Sequence, residues 1–399
     1  MSGDLEDLDA SGQFPVITEA GMDALRRLIG RPITETVEPW CYEITRDNIR
    51  HYAHGVGDDN PLWCDPEYAK RTRQRRLTAP PSFVFALNRI LSGYVGGLPG
   101  VHAMWSGSDI TWMQPLLVGD SIHCTAYLKD LVEHQTRFSG RAVQQIYHVD
   151  FYNQRDEHLA SADSWCFRTE RDTARDRGTK YAGAMEEPPP YTPQELERVW
   201  LQYESEAVRG PDPRYIEDVY VGDQLPSMIK GPMTVTGFIG FAQGWGGLYI
   251  RANRLAHKQL KKHPGLGIPD RFGIPDVPER VHWDDSLARL VGTPRAYDYG
   301  PERCSWLIQH LTDWMGDDGF VVNHRCHIRR HNPVGDILTI EGSVRALVDT
   351  EAGPCIEVEQ RATNQTGELS AEGVGLVRLP SRHEVGAAHG DWPSSLPEA

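Results

Sequence analysis

Apolar and polar positions divide the chain into two stretches with the same order of elements. Each stretch begins with short amphipathic helices, continues into a strongly apolar helical run and ends in four segments that alternate apolar and polar residues. The predicted helices are Thr18–Ile29, Arg46–Val56, Ser82–Leu91, Thr234–Phe241 and Glu302–Trp314. The predicted strands are Val37–Ile44, Met104–Met113, Ser121–Leu131, Ala142–Asn153, His158–Arg168, Val321–Arg330, Ile337–Leu347, Cys355–Asn364 and Leu369–Leu379. An apolar helix followed by a meander of strands predicts an α+β fold in which an antiparallel sheet wraps a central helix.

Turn motifs recur at nearly constant distance between the two stretches. Val118-Gly119-Asp120 returns as Val334-Gly335-Asp336 at an offset of 216, and Asn153-Gln154 returns as Asn364-Gln365 at an offset of 211. We interpret the chain as a fused tandem repeat. The predicted divisions are an N-terminal domain at 17–169, a charged and Pro-rich linker at 170–214, and a C-terminal domain at 215–380.

Composition limits the possible functions. The 399 residues carry a formal net charge of −15, which repels nucleic acid. The sequence has no long apolar run and no signal-like N-terminus, so we expect neither a membrane segment nor export. Seven cysteines without a CxxC pair argue against a disulfide framework, so we expect a cytoplasmic protein with reduced thiols. Two basic segments, Lys70–Arg76 and Arg251–His263, are either solvated faces or sites for a small anionic ligand.

One motif occurs in both stretches but is complete in neither. Asn60–Ser82 aligns without a gap with the segment that begins at Glu279, so that Trp63 matches His282 and Pro81 matches Gly300. The spacing between the two positions is the same in both copies. The second copy therefore keeps a histidine and a glycine with a free N–H at a helix start, whereas the first copy has lost both.

These residues resemble the MaoC-like family of (R)-specific enoyl-thioester hydratases and dehydratases, whose motif reads G-D-x-N-P-[IL]-H. Residues 57–63, GDDNPLW, match that motif except for the final histidine, and residues 282–285, HWDD, match its continuation. The resemblance implies a tandem, or double, hotdog fold, with an N-terminal half like the dehydratase domain of type I fatty acid synthases. It covers most of residues 18–169 and 215–380.

In the family, an aspartate and a histidine hold a water or hydroxyl, and a backbone N–H at the central helix polarises the thioester carbonyl. The resemblance therefore implies catalytic roles for His282 and for the Gly300 N–H. The family aspartate has no counterpart in the second copy. Asp276 is the preferred replacement, because it lies one residue further upstream than the family aspartate would, and Glu279, at the position of the motif's Asn, is the alternative.

The remaining site residues are predicted to bind substrate. Asp58 and Asn60 are either turn-forming side chains or part of the binding site, and Tyr299 precedes the glycine. The other predicted substrate-binding residues are Trp63 and Phe83, as walls of an acyl tunnel, and Arg73, Arg75 and Arg76, as a basic rim for the phosphates of CoA or the acidic face of a carrier protein. His324 and His327 face opposite ways on a strand, so neither a metal nor another cofactor is expected.

The sequence favours a hydro-lyase that interconverts a 3-hydroxyacyl and a 2-enoyl thioester, carried by CoA or acyl carrier protein. Two alternatives stay open because the motif is incomplete in both copies. One is a catalytically silent double hotdog that binds acyl thioesters, and the other is an isomerase or cyclase of a polyketide pathway. A homodimer of double hotdogs is a further expectation.

Overall fold

The computed structural model describes residues 16–33, 38–94, 96–98, 101–136, 140–169 and 188–383. Its α-helices are α1 Glu19–Arg26, α2 Arg46–Val56, α3 Pro61–Cys64, α4 Pro66–Ala69, α5 Val84–Leu87, α6 Pro193–Ser205, α7 Val235–Trp245, α8 Asn253–Lys262, α9 Asp285–Leu290 and α10 Gly300–Met315. Short 3₁₀ helices cover Pro81–Phe83, Ile216–Asp218, Pro264–Leu266 and Pro278–His282. None of the helices in the described ranges has the length and apolar character needed to cross a membrane.

The strands are β1 His102–Trp112, β2 His123–Thr136, β3 Gly140–Tyr152, β4 His158–Thr169, β5 Met228–Lys230, β6 Ile268–Pro269, β7 Pro275–Asp276, β8 Phe320–Ile328, β9 Leu338–Thr350, β10 Gly353–Asn364 and β11 Leu369–Arg378. In the described part of the chain, nine of them form one sheet in the order β2-β3-β4-β1-β8-β11-β10-β9-β5. The predicted α+β double hotdog is confirmed. The divisions predicted at 17–169 and 215–380 stay a prediction, because β1 and β8 join the two halves in a continuous sheet.

The two halves are related by a pseudo-twofold axis that crosses the pairing of β1 with β8. Gly107 pairs with His327, and Thr111 pairs with Asn323. With the repeat offset of 216, Gly107 corresponds to Asn323 and Thr111 to His327, so exchanging the two halves converts one pair into the other. The axis therefore passes between Asp109 and Arg325, which face each other across the ladder and form an ion pair of 2.9 Å.

The two turn motifs occupy equivalent positions in the two halves. The Gln154 side chain accepts a hydrogen bond from Ser121 N at 2.9 Å, and the Gln365 side chain accepts one from Ile337 N at the same distance. Both glutamine amides also donate to the aspartate of the Val-Gly-Asp turn in their own half. The repeat inferred from these motifs therefore extends to side-chain hydrogen bonds.

Helix α10 is the core of the second half. Nearly all of its side chains are buried, and it packs on β1, β8 and β11. It begins at Gly300-Pro301, where proline suits the first turn, and ends before Gly316, whose φ of 79° favours glycine. The predicted helix Glu302–Trp314 is confirmed, with a longer span.

The central helix predicted at Ser82–Leu91 is wrong in its extent, because it ends at Leu87. Asn88 is extended, and its side chain accepts hydrogen bonds from the backbone N–H groups of Ile90 and Leu91. The Ser92 hydroxyl donates to the carbonyls of Phe85 and Asn88. Polar side chains thus replace the helical hydrogen bonds that the apolar pattern alone would predict.

The strand predicted at Val37–Ile44 is also wrong. Residue 37 lies outside the described residues, and residues 38–44 form no strand, with one isolated bridge from Glu43 to Ser121. Ile44 N donates to the Asp120 carbonyl, and Gly119 N and Ile122 N donate to the carbonyls of Ile44 and Tyr42. Among the described residues the pairing is confined to these three bonds and does not extend into a strand.

Helices α2 and α7 cross where both carry small residues. A Cβ on Gly55 would lie 2.8 Å from the Gly240 carbonyl oxygen, and one on Gly244 would lie 2.5 Å from the His51 oxygen. Glycine is therefore required for this close approach of the two backbones. The crossing places the first-half and second-half motifs on either side of one shared core.

An insertion separates α7 from the motif of the second half. The equivalent helices α2 and α7 begin at Arg46 and Val235, and the equivalent motif positions are Trp63 and His282. The two motif positions are further apart in sequence than the two helix starts, so the second half has extra residues between its helix and its motif. The extra length of chain in the second half corresponds to Leu248–Val277, which folds as α8 followed by the β6–β7 hairpin. The first half has no equivalent of this insertion between α2 and its copy of the motif.

Candidate active site

His282 ends the 3₁₀ helix Pro278–His282 and is held by two tyrosines. Its Nδ1 donates to the Tyr297 carbonyl at 2.7 Å, and its ring stacks on the ring of Tyr299 at a centroid distance of 3.7 Å. Desolvation lowers the pKa of His282 to about 3, and the nearby Arg303 charge also lowers it. The imidazole is therefore neutral at pH 7 with its proton on Nδ1. Its Nε2 has no hydrogen-bond partner among the described residues, which leaves a lone pair for proton abstraction.

Gly300 provides the first N–H of α10. Because Pro301 has no N–H, the Gly300 group is the donor nearest to the tip of a 16-residue helix, where the helix dipole favours negative charge. Within the described ranges this N–H has no acceptor. Trp105, from the first half, lies so close that a Cβ at position 300 would be 2.5 Å from its Cε3.

Tyr299 connects His282 to a buried carboxylate. Its hydroxyl is buried and makes no hydrogen bond of good geometry, and burial followed by the charge of Glu279 raises its pKa well above the ordinary value. Glu279 is also buried, accepting the N–H groups of Leu248 at 3.0 Å and Tyr249 at 2.7 Å. Desolvation raises the pKa of Glu279 above its usual range. At neutral pH the phenol therefore keeps its proton.

A buried ion pair fixes the start of α10. Arg303 Nε lies 2.8 Å from an Asp298 carboxylate oxygen, and both side chains are almost completely buried. Asn332 donates its backbone N–H and its side-chain amide to the same carboxylate, at 3.0 and 2.7 Å. Burial raises the pKa of Asp298 to about 6 in spite of these partners. The pair orients the segment that carries Tyr297 and Tyr299.

Asp276, the preferred acid partner of His282, is found elsewhere. Its carboxylate accepts its neighbour's N–H at Val277 and lies 3.6 Å from Arg280, at the edge of the β6–β7 hairpin. No hydrogen bond or ion pair joins Asp276 to His282 in the described part of the chain. The alternative, Glu279, is buried in the 3₁₀ helix beside the Tyr299 hydroxyl, whereas residue 276 is partly exposed.

The first-half copy of the motif forms a turn rather than a proton relay. Asp58 accepts the N–H of Asn60 at 3.0 Å, and Asn60 caps α3 by accepting the N–H of Leu62 at 3.0 Å. Burial raises the pKa of Asp58 to about 6, while the charge of Lys230 lowers it. The turn-forming interpretation of Asp58 and Asn60 thus accounts for their contacts.

Two cavities lie at pseudo-equivalent positions along the β1–β8 seam. The first, of about 70 Å³, is bordered by Trp63, Arg73 and Pro81. The second, a cleft of about 520 Å³, is bordered by Trp105 and by His331, whose ring contacts Tyr297. Ligand pockets generally measure about 300–1,000 Å³. Only the second of these two cavities falls in that range, and it reaches the site through Trp105 and His331, because His282 and Gly300 are not among the residues that line it.

The predicted tunnel wall and basic rim are placed differently by the structure. Phe83 is fully buried, packs edge-on against Tyr52 and lines neither cavity. Arg73 borders the cavity of the degenerate copy, and the exposed Arg75 and Arg76 border neither cavity. The segment Lys70–Arg76 therefore does not lie at the cleft next to Gly300, because its loop belongs to the other side of the pseudo-twofold.

Two features of the site were not predicted from the sequence. Trp105 reaches the site from the opposite half through the β1–β8 pairing, and the Arg303–Asp298 pair forms across a helix start. The one available signal is the repeat offset of 216, which makes Trp105 the equivalent of Val321 in the other half. No local pattern identifies either contact.

The comparisons with known proteins agree with this fold. The family model of the FAS1-like dehydratase domain region matches residues 28–162. A UPF0336 protein of Thermobifida fusca is 32% identical over 111 residues, covering 27% of this chain and 71% of that protein. A UPF0336 protein of Streptomyces avermitilis is 29% identical over 126 residues, covering 30% of this chain and 81% of the relative.

Solved structures with low identity share the architecture. A MaoC-like dehydratase superposes with a TM-score of 0.63 at 17% identity, over 89% of this chain and 100% of that one. A conserved hypothetical protein of Mycobacterium tuberculosis, described as having a double hotdog fold, gives 0.51 at 11% identity, over 87% and 96% of the two chains. The resemblance to MaoC-like dehydratases is confirmed. The chain belongs to the UPF0336 family and has, over its two halves, the double hotdog fold of the MaoC-like dehydratases.

Proposed function

We propose that this protein is an acyl-thioester dehydratase or hydratase whose active site is formed by His282, Tyr299 and Gly300. The observation that carries the proposal is that the His282 ring, whose Nε2 makes no hydrogen bond to any described residue, stacks at 3.7 Å on Tyr299, the residue directly before the Gly300 N–H. β-Elimination of water requires a base for the α-proton, a donor for the carbonyl oxygen and a proton for the departing hydroxyl.

Each requirement has a residue in this site. His282 Nε2 takes the α-proton, and the Gly300 N–H stabilises the oxygen of the developing enolate. The Tyr299 hydroxyl gives its proton to the β-hydroxyl, which leaves as water, and the imidazolium proton then returns to the tyrosinate, which restores both groups. The low pKa of His282 disfavours the protonated form in the empty site, and the negative enolate favours it during the reaction.

Assignment of the acid to Tyr299 replaces the proposal of Asp276. The partly exposed Asp276 is held by Val277 N and Arg280, while Tyr299 is buried in contact with the histidine ring. Glu279 acts beside it as a positioning residue, since its carboxylate is occupied by two backbone N–H groups. The substrate is a 3-hydroxyacyl or 2-enoyl thioester carried by CoA or a carrier protein.

The test is turnover of short 3-hydroxyacyl and enoyl pantetheine thioesters, followed by mass spectrometry as the loss or gain of one water. We expect His282→Ala and Tyr299→Phe each to reduce kcat by at least about 100-fold, in the range of lost acid–base catalysis. Tyr297→Phe is the matched control, because Tyr297 serves His282 through its backbone carbonyl. Wild-type kcat in Tyr299→Phe would refute the assignment of the acid, and wild-type kcat in His282→Ala would refute the site.

A second function, acyl-thioester binding without turnover, is favoured by one observation. The motif position five residues before His282 is Val277, so the family's acid is absent from the second half as well. If wild-type protein binds enoyl thioesters but never adds water to them or removes it, the binding function is the correct one.

A further inference from the structure

We propose that the insertion Leu248–Val277 is the docking surface for an acidic acyl carrier protein that delivers the substrate. This inference rests on the proposed function, because it concerns the macromolecule that would present a thioester to the His282 site. Three observations support it: the charge of the insertion, the exposed apolar side chains of the insertion, and the attachment of the insertion to the 3₁₀ helix that carries His282.

The charge of this region is opposite to that of the rest of the chain. The insertion Leu248–Val277 contains six lysines and arginines and two aspartates, a formal charge of +4. Because the whole chain carries −15, the remainder carries −19. A negatively charged partner is therefore repelled by most of the surface and attracted to this region.

The positive charges form a stripe on α8. Arg254, Lys258 and Lys261 follow each other at helical spacing on the exposed side, over about 10 Å of helix length. None of the three forms an ion pair with any described residue. A row of free cations of this length matches the row of carboxylates on one acidic helix.

Apolar side chains beside the stripe favour a protein over a free phosphate compound. Leu255 is 60% exposed on α8, and Phe272 and Ile274 in the β6–β7 hairpin are 71% and 58% exposed. Phosphate groups of a coenzyme are recognised by charge and hydrogen bonds and not by apolar contacts. A protein interface, in contrast, combines an apolar centre with a charged rim. The surface therefore fits a small acidic protein.

The insertion is attached to the 3₁₀ helix that carries His282. Glu279 holds its beginning through the N–H groups of Leu248 and Tyr249. Arg280 holds its hairpin by donating to the carbonyls of Ile268 and Pro269 at 3.4 and 3.2 Å. A partner bound on the insertion is thus anchored through the two residues that lie three and two positions before the proposed catalytic histidine.

Tyrosine contacts lead from the insertion toward the seam cleft. Gln259 of α8 donates to the Tyr249 carbonyl at 3.0 Å, and the Tyr249 ring meets the Tyr94 ring at 6.2 Å. Gly93, next to Tyr94, packs against Trp105, which borders the cleft and Gly300. These contacts connect the insertion to the wall of the cleft next to Gly300, which supports delivery of the substrate from this side.

The experiment measures binding separately from turnover. Each acyl carrier protein encoded in the same genome is expressed in its holo form without an acyl group, labelled with fluorescein, and titrated with the full-length protein by anisotropy. We expect one or more of them to bind, with an affinity that falls as salt rises from about 50 to 300 mM. The variant Arg254→Glu/Lys258→Glu/Lys261→Glu should weaken this binding at least tenfold, and the neutral variant Arg254→Gln/Lys258→Gln/Lys261→Gln should weaken it less.

The matched control reverses three charges of the other basic segment, in Arg71→Glu/Arg75→Glu/Arg76→Glu. Three results would overturn the inference. Binding could be lost equally in both charge-reversed triple variants, wild type could bind no carrier, or α8 could prefer anionic lipid vesicles or CoA over every carrier. Turnover of pantetheine thioesters, which need no docking, reports on the proposed function independently. Loss of carrier binding with unchanged pantetheine turnover therefore concerns the docking surface alone.

Discussion

The indole of Trp105 lies against the backbone of Gly300, so that a Cβ at position 300 would be 2.5 Å from the ring. The first residue comes from the N-terminal half and the second begins the central helix of the C-terminal half. The contact gives the half with the degenerate motif a role in the fused chain. That half supplies one wall of the cleft next to the copy of the motif that keeps its histidine and glycine.

Gly300→Ala is expected to destabilise the protein by about 1–3 kcal/mol, the usual cost of overpacking a core contact. The methyl group would have to displace the Trp105 ring, whose Nε1 is fixed by the Leu91 carbonyl at 2.9 Å. Denaturant unfolding measures the loss. In a Trp105→Ala background the same change should cost less, because the obstructing ring is gone.

Gly240→Ala in α7 is the control for that measurement, because nothing lies within 4 Å of the added Cβ. This change should be neutral or slightly stabilising, since alanine favours a helix interior over glycine. Equal losses in Gly300→Ala and Gly240→Ala would mean that the Trp105 contact has no special role.

The pH dependence of stability should contain a contribution from His282. Its pKa is lowered to about 3 in the folded state, below the unperturbed value of about 6.5, so the unfolded chain binds more protons between these values. Stability conferred by the neutral imidazole is therefore complete above about pH 6.5 and decreases as pH falls toward 3. Compared with His282→Asn, wild type should lose roughly 2 kcal/mol more between about pH 7 and 4.5. Parallel stability curves for the two proteins would contradict this.

Removal of one partner from the Arg303–Asp298 pair should be strongly destabilising. Arg303→Met leaves a buried carboxylate without its counter-charge, at a cost of about 3–5 kcal/mol. Adding Asp298→Asn removes that charge and should recover part of the loss. Thermal and denaturant unfolding of the single and double variants test the coupling, and a double variant less stable than either single one would argue against it.

Glu279→Ala should release the insertion without unfolding the two halves. The change removes the acceptor of the Leu248 and Tyr249 N–H groups, so limited proteolysis within residues 250–277 should become at least tenfold faster. Asp276→Ala is the control: it loses the long contact with Arg280 and the hydrogen bond from the adjacent Val277 N–H, neither of which holds the beginning of the insertion, so it should change the rate little. Equal rates of cleavage in both variants would show that Glu279 does not anchor this segment.

The sequence by itself determined the architecture of this protein. Two turn motifs at offsets of 216 and 211 revealed the repeat, and the alternation of apolar residues located the eight long strands of the described ranges within a few positions. These features are local, because strand periodicity and turn chemistry depend on neighbours in the chain. The same internal alignment placed His282 and Gly300 on the motif.

Tertiary structure alone decided which groups surround that histidine. Asp276 and Glu279 are both acidic and close to His282 in sequence, and only the 3₁₀ helix Pro278–His282 determines that residue 279 is buried. The position of Trp105 depends on strand pairing across the pseudo-twofold, and the helix predicted at Ser82–Leu91 ends early because Asn88 and Ser92 bond to the backbone. Such contacts join residues far apart in the chain or choose between competing local hydrogen bonds, and neither choice is encoded in a periodic pattern.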